Sequence, residues 1–226
     1  MGAINPLLPR LKMNGLFVTF EGTEGGGKTT QIQLLAGRLR GLAQTVNLLR
    51  EPGGTSIGEE IRHTLKHSAQ NHGMTPETEL LLMNASRAQL VREVIQPALR
   101  RGEIVLCDRF YDSTVVYQGY GRGLDLKIVR AIIDFAVGSV RPDLTVLLSV
   151  PVELSERRRQ TRQSAGETVR DRFEEADREF FQRVERGYRE IAAAEPGRIQ
   201  VVDATQNVET VRSAIWELVE ARIPKS

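Results

Sequence analysis

The sequence predicts an α/β fold, a five-stranded parallel sheet with helices on both faces, and three observations carry that prediction. Five short runs rich in Val, Ile, Leu and Phe read as buried strands, and helical patterns fall between them. Near-continuous apolar strands alternating with helices mark a parallel sheet, because each parallel connection needs a crossover helix that covers a face. The 226 residues, 40% hydrophobic and 27% charged, contain no internal repeat, low-complexity tract or Pro/Gly linker, so one domain is expected over 15–226.

The elements follow in chain order. Residues 1–14 read as a flexible tail, with Met13 as an alternative start just before the first strand. The strands are LFVTF 16–20, VNLL 46–49, EIVLC 103–107, DLTVLLSV 143–150 and RIQVV 198–202. Helices are expected from Lys28 to Leu42 and over 56–67. Thr75 and Pro76 form a start signal for a long helix that reaches Arg100, with apolar residues at Leu80, Met83, Leu90, Val91, Val94 and Ile95. Further helices are expected at 126–137 and 151–162. Another runs over 172–194, where Phe173, Ala176, Phe180, Val184, Tyr188 and Ile191 keep the spacing of one buried face, and the last over 207–222. The stretch 157–172, RRRQTRQSAGETVRDR, holds six arginines against one Glu and one Asp and reads as a mobile loop between helices.

Charge and cysteine content exclude several function classes. Lys and Arg total 31 against 29 Asp and Glu, so no global basic excess points to a nucleic-acid partner. A single cysteine, Cys107, permits neither an internal disulfide nor a cysteine-rich zinc site and suits a reducing compartment. The longest apolar stretch, from Leu144, is about half the ~20 residues a bilayer span needs, and the N-terminus lacks a secretory apolar core. A cytoplasmic protein without a membrane partner is expected.

Directly after the first strand comes GTEGGGKTT, in which Gly22, Gly27, Lys28 and Thr29 fit the P-loop pattern G-x-x-x-x-G-K-[ST]. The glycines let the loop curl so that backbone N–H groups from Gly22, Thr23, Glu24, Gly25, Gly26, Gly27, Lys28, Thr29 and Thr30 can point at phosphates, with a helix N-terminus beneath them. Lys28 adds positive charge at the β/γ-phosphates, and the Thr29 hydroxyl suits Mg²⁺. A GTPase should add D-x-x-G and N-K-x-D, and neither occurs. A small kinase of the P-loop NTPase class, resembling nucleoside monophosphate kinases in architecture, remains.

The acceptor side follows the third strand, as CDRFYDSTVVYQGYGRGL. Asp108 emerges at a strand's C-terminal end, where ligands gather in open α/β sheets; it can hold Mg²⁺ through water, or simply cap a turn. Arg109 can clamp an acceptor phosphate with its planar fork of donors, or make a structural salt bridge. REPGGT, from Arg50 to Thr55, is a tight turn that either lines the substrate or connects to the next helix. Arg87, in NASRAQLV, binds substrate or snorkels from a largely apolar stretch. His63, His67 and His72 lack metal-ligand companions and read as exposed helix positions.

FEGTEGGGKTTQ, REPGGT, SRAQ and DRFYDSTVVYQGYGRG occur in this order and at similar separations in thymidylate kinases, and over about residues 15–220 the sequence closely resembles a bacterial member. The resemblance implies transfer of the γ-phosphoryl group of ATP to dTMP, giving dTDP and ADP for dTTP synthesis, with Mg²⁺ and in a homodimer. It implies that Glu24 approaches the deoxyribose 3′-hydroxyl, Arg109 holds the acceptor phosphate and Asp108 serves the magnesium site. It places Arg87 at the thymine edge, Thr114 and Gln118 at the base, Tyr117 against the sugar 2′ position, and Pro52 and Gly53 along the nucleotide slot. Many members stack a phenylalanine on thymine where this chain has Met83, which either contacts the base through sulfur or fills core.

Some thymidylate kinases carry a basic residue inside the P-loop, whereas others supply it from a lid. Here Thr23, Glu24, Gly25 and Gly26 include no base, so the 157–172 run is expected to be the lid, with Arg159 first and Arg157 and Arg162 beside it, unless the run is a solvated surface. Two other readings stay open: a kinase with a different acceptor base, and a P-loop module that binds nucleotide without transfer.

Overall fold

The computed structural model describes residues 14–68, 70–164 and 177–223, without the side chains of residues 159 and 162–164. The five strands are β1 Leu16–Glu21, β2 Val46–Arg50, β3 Ile104–Asp108, β4 Leu144–Ser149 and β5 Ile199–Asp203, all parallel in the order β2-β3-β1-β4-β5. The first strand sits at the centre, and its alternation divides the core. Leu16, Val18 and Phe20 face a layer with Ile32, Leu35, Leu39, Ile215 and Trp216, whereas Phe17 faces Leu90, Phe110, Val129, Phe180 and Val184. β2 and β5 are partly exposed along their length because they are the sheet's edges, so burial of every strand is corrected to burial of β1, β3 and β4, the last two up to their terminal Asp108 and Ser149.

Nine α-helices are described: α1 Lys28–Gly41, α2 Ser56–Lys66, α3 Pro76–Leu90, α4 Gln96–Arg100, α5 Tyr111–Thr114, α6 Leu126–Val137, α7 Val152–Ser164, α8 Arg178–Ala194 and α9 Val208–Glu220. The expected N-terminal signals act as caps. Thr75 Oγ1 accepts from Thr78 N with Pro76 in the first turn, and Thr55, the last residue of REPGGT, accepts from Gly58 N at 3.0 Å.

Three expectations need correction. The helix over 76–100 is interrupted by a π-helical stretch at Val91–Ile95, because Pro97 has no N–H to return to the residue four before it and the chain widens locally instead. A helical run at 111–121, α5 followed by a π-helical stretch Val115–Gly121, was not anticipated. Its β-branched residues and glycines disfavour helix, and burial of Val115, Val116 and Tyr117 overrides that preference. The arginine run is not a loop over its first half, since α7 continues to Ser164; arginine and glutamine are good helix formers. Residues 165–176, the remainder of the expected lid and the start of the expected 172–194 helix, lie outside the described residues, as does the tail 1–13.

Candidate active site

The C-terminal ends of β1 and β3 meet side by side, Phe20 against Asp108, and the loops that leave them build the site. After Glu21 the chain turns at Gly22, whose φ is +130° and whose missing Cβ would lie 2.4 Å from the Leu148 carbonyl oxygen, so glycine alone fits. The loop closes on Lys28, buried at the start of α1, whose Nζ donates to Gly22 O at 3.1 Å and Thr23 O at 2.9 Å. Burial lowers the Lys28 pKa and Arg109 lowers it further, against the pull of Glu24 and Asp108. From α7, Ser155 Oγ donates to Glu24 O and Arg158 donates to Gly25 O at 3.1 Å and to Ala204 O, fixing the loop from outside. Thr29 Oγ1 donates to Asp108 Oδ2 at 3.2 Å, which brings a hydroxyl and a carboxylate oxygen together at the loop's edge.

Arg109 follows β3 with φ +67°, a left-handed conformation that costs a non-glycine residue roughly 1–2 kcal/mol and aims its side chain across the loop. Its Nη2 meets Glu24 Oε1 at 2.7 Å, and its Nη1 donates to Ser113 Oγ at 3.0 Å and Tyr188 Oη at 3.3 Å. Burial would raise the Glu24 carboxyl, but Arg109 and Lys28 hold it well below the usual carboxylate range. Burial pushes the Tyr117 phenol, whose Oη accepts from Arg109 Nη2 at 3.3 Å, up to about 12, so it stays neutral. Beneath them Glu21 accepts from Phe110 N, Ser113 N and Tyr188 Oη, and burial beside Asp112 raises its pKa.

Arg87 on α3 is 2% exposed. Its Nε and Nη2 both reach Glu51 Oε2, at 2.8 and 2.7 Å; Nη1 donates to Asn84 Oδ1 at 2.9 Å and Nη2 to Phe110 O. Burial pushes the Glu51 carboxyl up to about 7 despite this pairing. Gln118, in the π-helical stretch, donates from Nε2 to Glu79 Oε1 at 2.8 Å.

Part of this set lines one cavity of about 620 Å³. Glu24, Gly25, Gly27, Lys28, Thr29, Thr30, Pro52, Met83, Arg87, Asp108, Arg109, Thr114, Tyr117 and Gln118 all stand in its wall, so residues spread over most of the chain are brought together. Gly26 and Gly53 do not line it: Gly53 turns its N–H to Ser86 Oγ and faces Glu59. Gly22 and Thr23 border a second cavity of about 510 Å³ on the other side of the loop. Arg157 is exposed and outside the cavity wall, and the side chains of Arg159 and Arg162 lie outside the description. Seven basic side chains, from Lys28, Arg50, Arg62, Lys66, Arg87, Arg109 and Arg158, oppose three acids, Glu24, Glu51 and Asp108, an excess suited to several phosphate groups.

The family model for thymidylate kinase matches residues 20–215. The chain belongs to the thymidylate kinase family. It is 46% identical over 212 residues to the thymidylate kinase of Geobacter sulfurreducens, covering 93% of this chain and 99% of that one. It is 46% identical over 208 residues to that of Deinococcus radiodurans, covering 92% and 98%. The crystal structure of thymidylate kinase from Ehrlichia chaffeensis matches with a TM-score of 0.72 at 34% identity, over 91% of this chain and 98% of that one.

Within this thymidylate kinase scaffold, sequence reasoning missed Glu21, Glu51, Glu79, Tyr188 and Arg158. Glu21 carries a signal as the charged end of an apolar strand, and Glu51 as part of REPGGT; the helical spacing of Tyr188 signals core alone. Of the arginines in the 157–172 run whose side chains are described, Arg158, and not the expected Arg157, lines the cavity. Among the described residues no group of three or more His, Cys, Asp or Glu could hold a metal, and no helix is long and apolar enough to cross a membrane.

Proposed function

We infer that the chain transfers the γ-phosphoryl group of ATP to dTMP, giving dTDP and ADP on the path to dTTP. The observation that carries this is a single cavity with a P-loop and its lysine at one end, Arg109 in the middle and the buried Arg87–Gln118 edge at the other. That spacing of charge fits two nucleotides placed phosphate to phosphate. Phosphoryl transfer needs in-line positioning and neutralised charge more than covalent help, and the acceptor is an ionised phosphate, so no strong general base is required.

Lys28 would neutralise the donor phosphates, Arg109 would clamp the acceptor phosphate with Glu24 at the sugar, and Tyr117 would crowd the 2′ position. Met83, Thr114 and Pro52 would surround the base. A further guanidinium is proposed to come from the arginine run, Arg159 first. Thr29 and Asp108 supply the hydroxyl and carboxylate oxygens that hard cations prefer, and their 3.2 Å approach fits a shared Mg²⁺. When bound, that ion supplies positive charge to the transferring phosphates. A cytoplasmic location accompanies this reading.

A homodimer is part of the proposal. Ile57, Leu81, Ile128 and Phe135 lie exposed on α2, α3 and α6, which pack side by side, and Phe135 is 86% exposed. A second copy that covers this face would remove the apolar surface from water. Phe135→Glu is expected to halve the mass measured by light scattering, and an unchanged mass would place the dimer face elsewhere.

Release of ADP, measured with ATP, Mg²⁺ and a panel of nucleoside monophosphates, tests the activity. Highest turnover with dTMP is expected. Preference for another acceptor selects a kinase of different base choice, and no turnover with any acceptor selects a binding module.

A further inference from the structure

Glu79, Met83 and Arg87 recur at intervals of four on α3, which sets them along one helix face. Met83 and Arg87 line the cavity, while Glu79 is fully buried one layer behind it. Its Oε1 accepts from Gln118 Nε2 at 2.8 Å and from Arg122 Nε at 3.2 Å, and its Oε2 accepts from Arg122 Nη2 at 3.0 Å. Gln118 is itself 1% exposed and stands in the cavity wall.

An amide side chain has two unlike ends, a carbonyl that accepts and an NH₂ that donates, and only its partners decide which way it points. A carboxylate held by an arginine offers lone pairs alone. Gln118 must therefore turn its NH₂ towards Glu79, which leaves Oε1 for the cavity. Gln118 and Arg87 line the same cavity, so the carbonyl of one and the one Nη1–H of the other left over by Glu51, Asn84 and Phe110 can offer a ligand an acceptor and a donor.

We propose that Glu79 is a positioning residue that sets base choice by fixing the Gln118 amide with its carbonyl towards the acceptor base. An imide edge, an N–H beside a C=O as in thymine and uracil, complements that arrangement. Cytosine, with a ring nitrogen that accepts beside an amino group that donates, meets it acceptor to acceptor and donor to donor. The discrimination comes from leaving buried polar groups unpaired against the wrong base. This inference rests on the kinase reading given above.

The test is Glu79→Gln, which can donate as well as accept and so frees the Gln118 amide to rotate. Rates with dTMP, dUMP and dCMP are measured for the parent, Glu79→Gln, Gln118→Met and the double variant. The ratio of kcat/KM for dTMP over dCMP is expected to fall about tenfold in Glu79→Gln, the size of one buried hydrogen-bonding mismatch. The dTMP over dUMP ratio should hold, since both bases share the imide edge. In the Gln118→Met background Glu79→Gln should change the dTMP over dCMP ratio no further. An unchanged ratio in the folded single variant, or additive effects in the double variant, overturns the proposal. Should Glu79→Gln fail to fold, Glu79→Asp, which keeps the charge but draws it back from Gln118, must shift the ratio in the same direction by a smaller factor; no shift overturns the proposal equally. Failure of the parent to phosphorylate dTMP would instead overturn the activity itself.

Discussion

Two arginine–carboxylate pairs face the same cavity with the same 2.7 Å contact, Arg109 with Glu24 and Arg87 with Glu51, yet their acids are tuned in opposite directions. Burial raises both. At Glu24 it is outweighed by Arg109, Lys28 and Lys66 together, and the carboxyl falls well below its ordinary value. At Glu51 only Arg87 opposes burial, Glu21 adds repulsion, and the carboxyl climbs to about 7. Contact distance is thus a poor guide to the state of a buried acid; the number of charges around it decides. The Arg109 side, proposed to hold phosphates, has surplus positive charge that many polyphosphates could use. The Arg87 side, proposed to hold the base, has nearly balanced, dry pairs that fix geometry and so favour selection.

The largest expected effect breaks the phosphate end. Arg159→Ala should lower kcat about 10³-fold or more, as loss of an arginine finger does, with KM for dTMP within about threefold of the parent. A rate within about threefold of the parent would move that role to Arg158, whose side chain already lines the cavity.

Arg109→Ala should do less to turnover and more to binding. Removal of a charge-assisted pair worth about 1.5–3 kcal/mol is expected to raise KM for dTMP and lower kcat together, by about 10–100-fold in kcat/KM. Steady-state kinetics that leave dTMP affinity untouched would discard Arg109 as the acceptor-phosphate clamp.

The smallest effect sharpens the contrast between the two acids through pH. Glu24 titrates in the fold below its ordinary 4.5, so its pairing stabilises fully above that pH and is lost as pH falls beneath it. Glu51 titrates above 4.5, so its contribution is whole below that pH and is lost as pH rises through about 7. Thermal melts should show Glu51→Gln gaining on the parent by about 2 kcal/mol from pH 5 to pH 8, and the deficit of Glu24→Gln shrinking from pH 6 to pH 3. Parallel pH curves for parent and variants would contradict the opposite tuning.

The same contrast explains what the sequence made legible. The P-loop reads directly because its chemistry is mostly backbone and its nine residues are contiguous, with strand before and helix after. The five strands read from apolar runs, although burial of β2 and β5 could not, because edge position is a property of the sheet order. The base end is assembled from α3, the REPGGT turn and the 111–121 run, residues whose partners lie 36 or 39 positions away. Arg87 stands out in the sequence as an arginine in an apolar stretch, but its side chain could equally snorkel, and Gln118 gains a role only through family resemblance; their buried partners Glu51 and Glu79 carry no local signal of the pairing. A buried carboxylate looks like any surface acid until its cation is known to be beside it.

The central claim is that one slot holds two nucleotides end to end, and an adenosine–thymidine oligophosphate probes it most directly. Inhibition by that compound should be competitive against ATP and competitive against dTMP, with affinity well above that of either nucleotide. Competition against only one of the two would contradict the account.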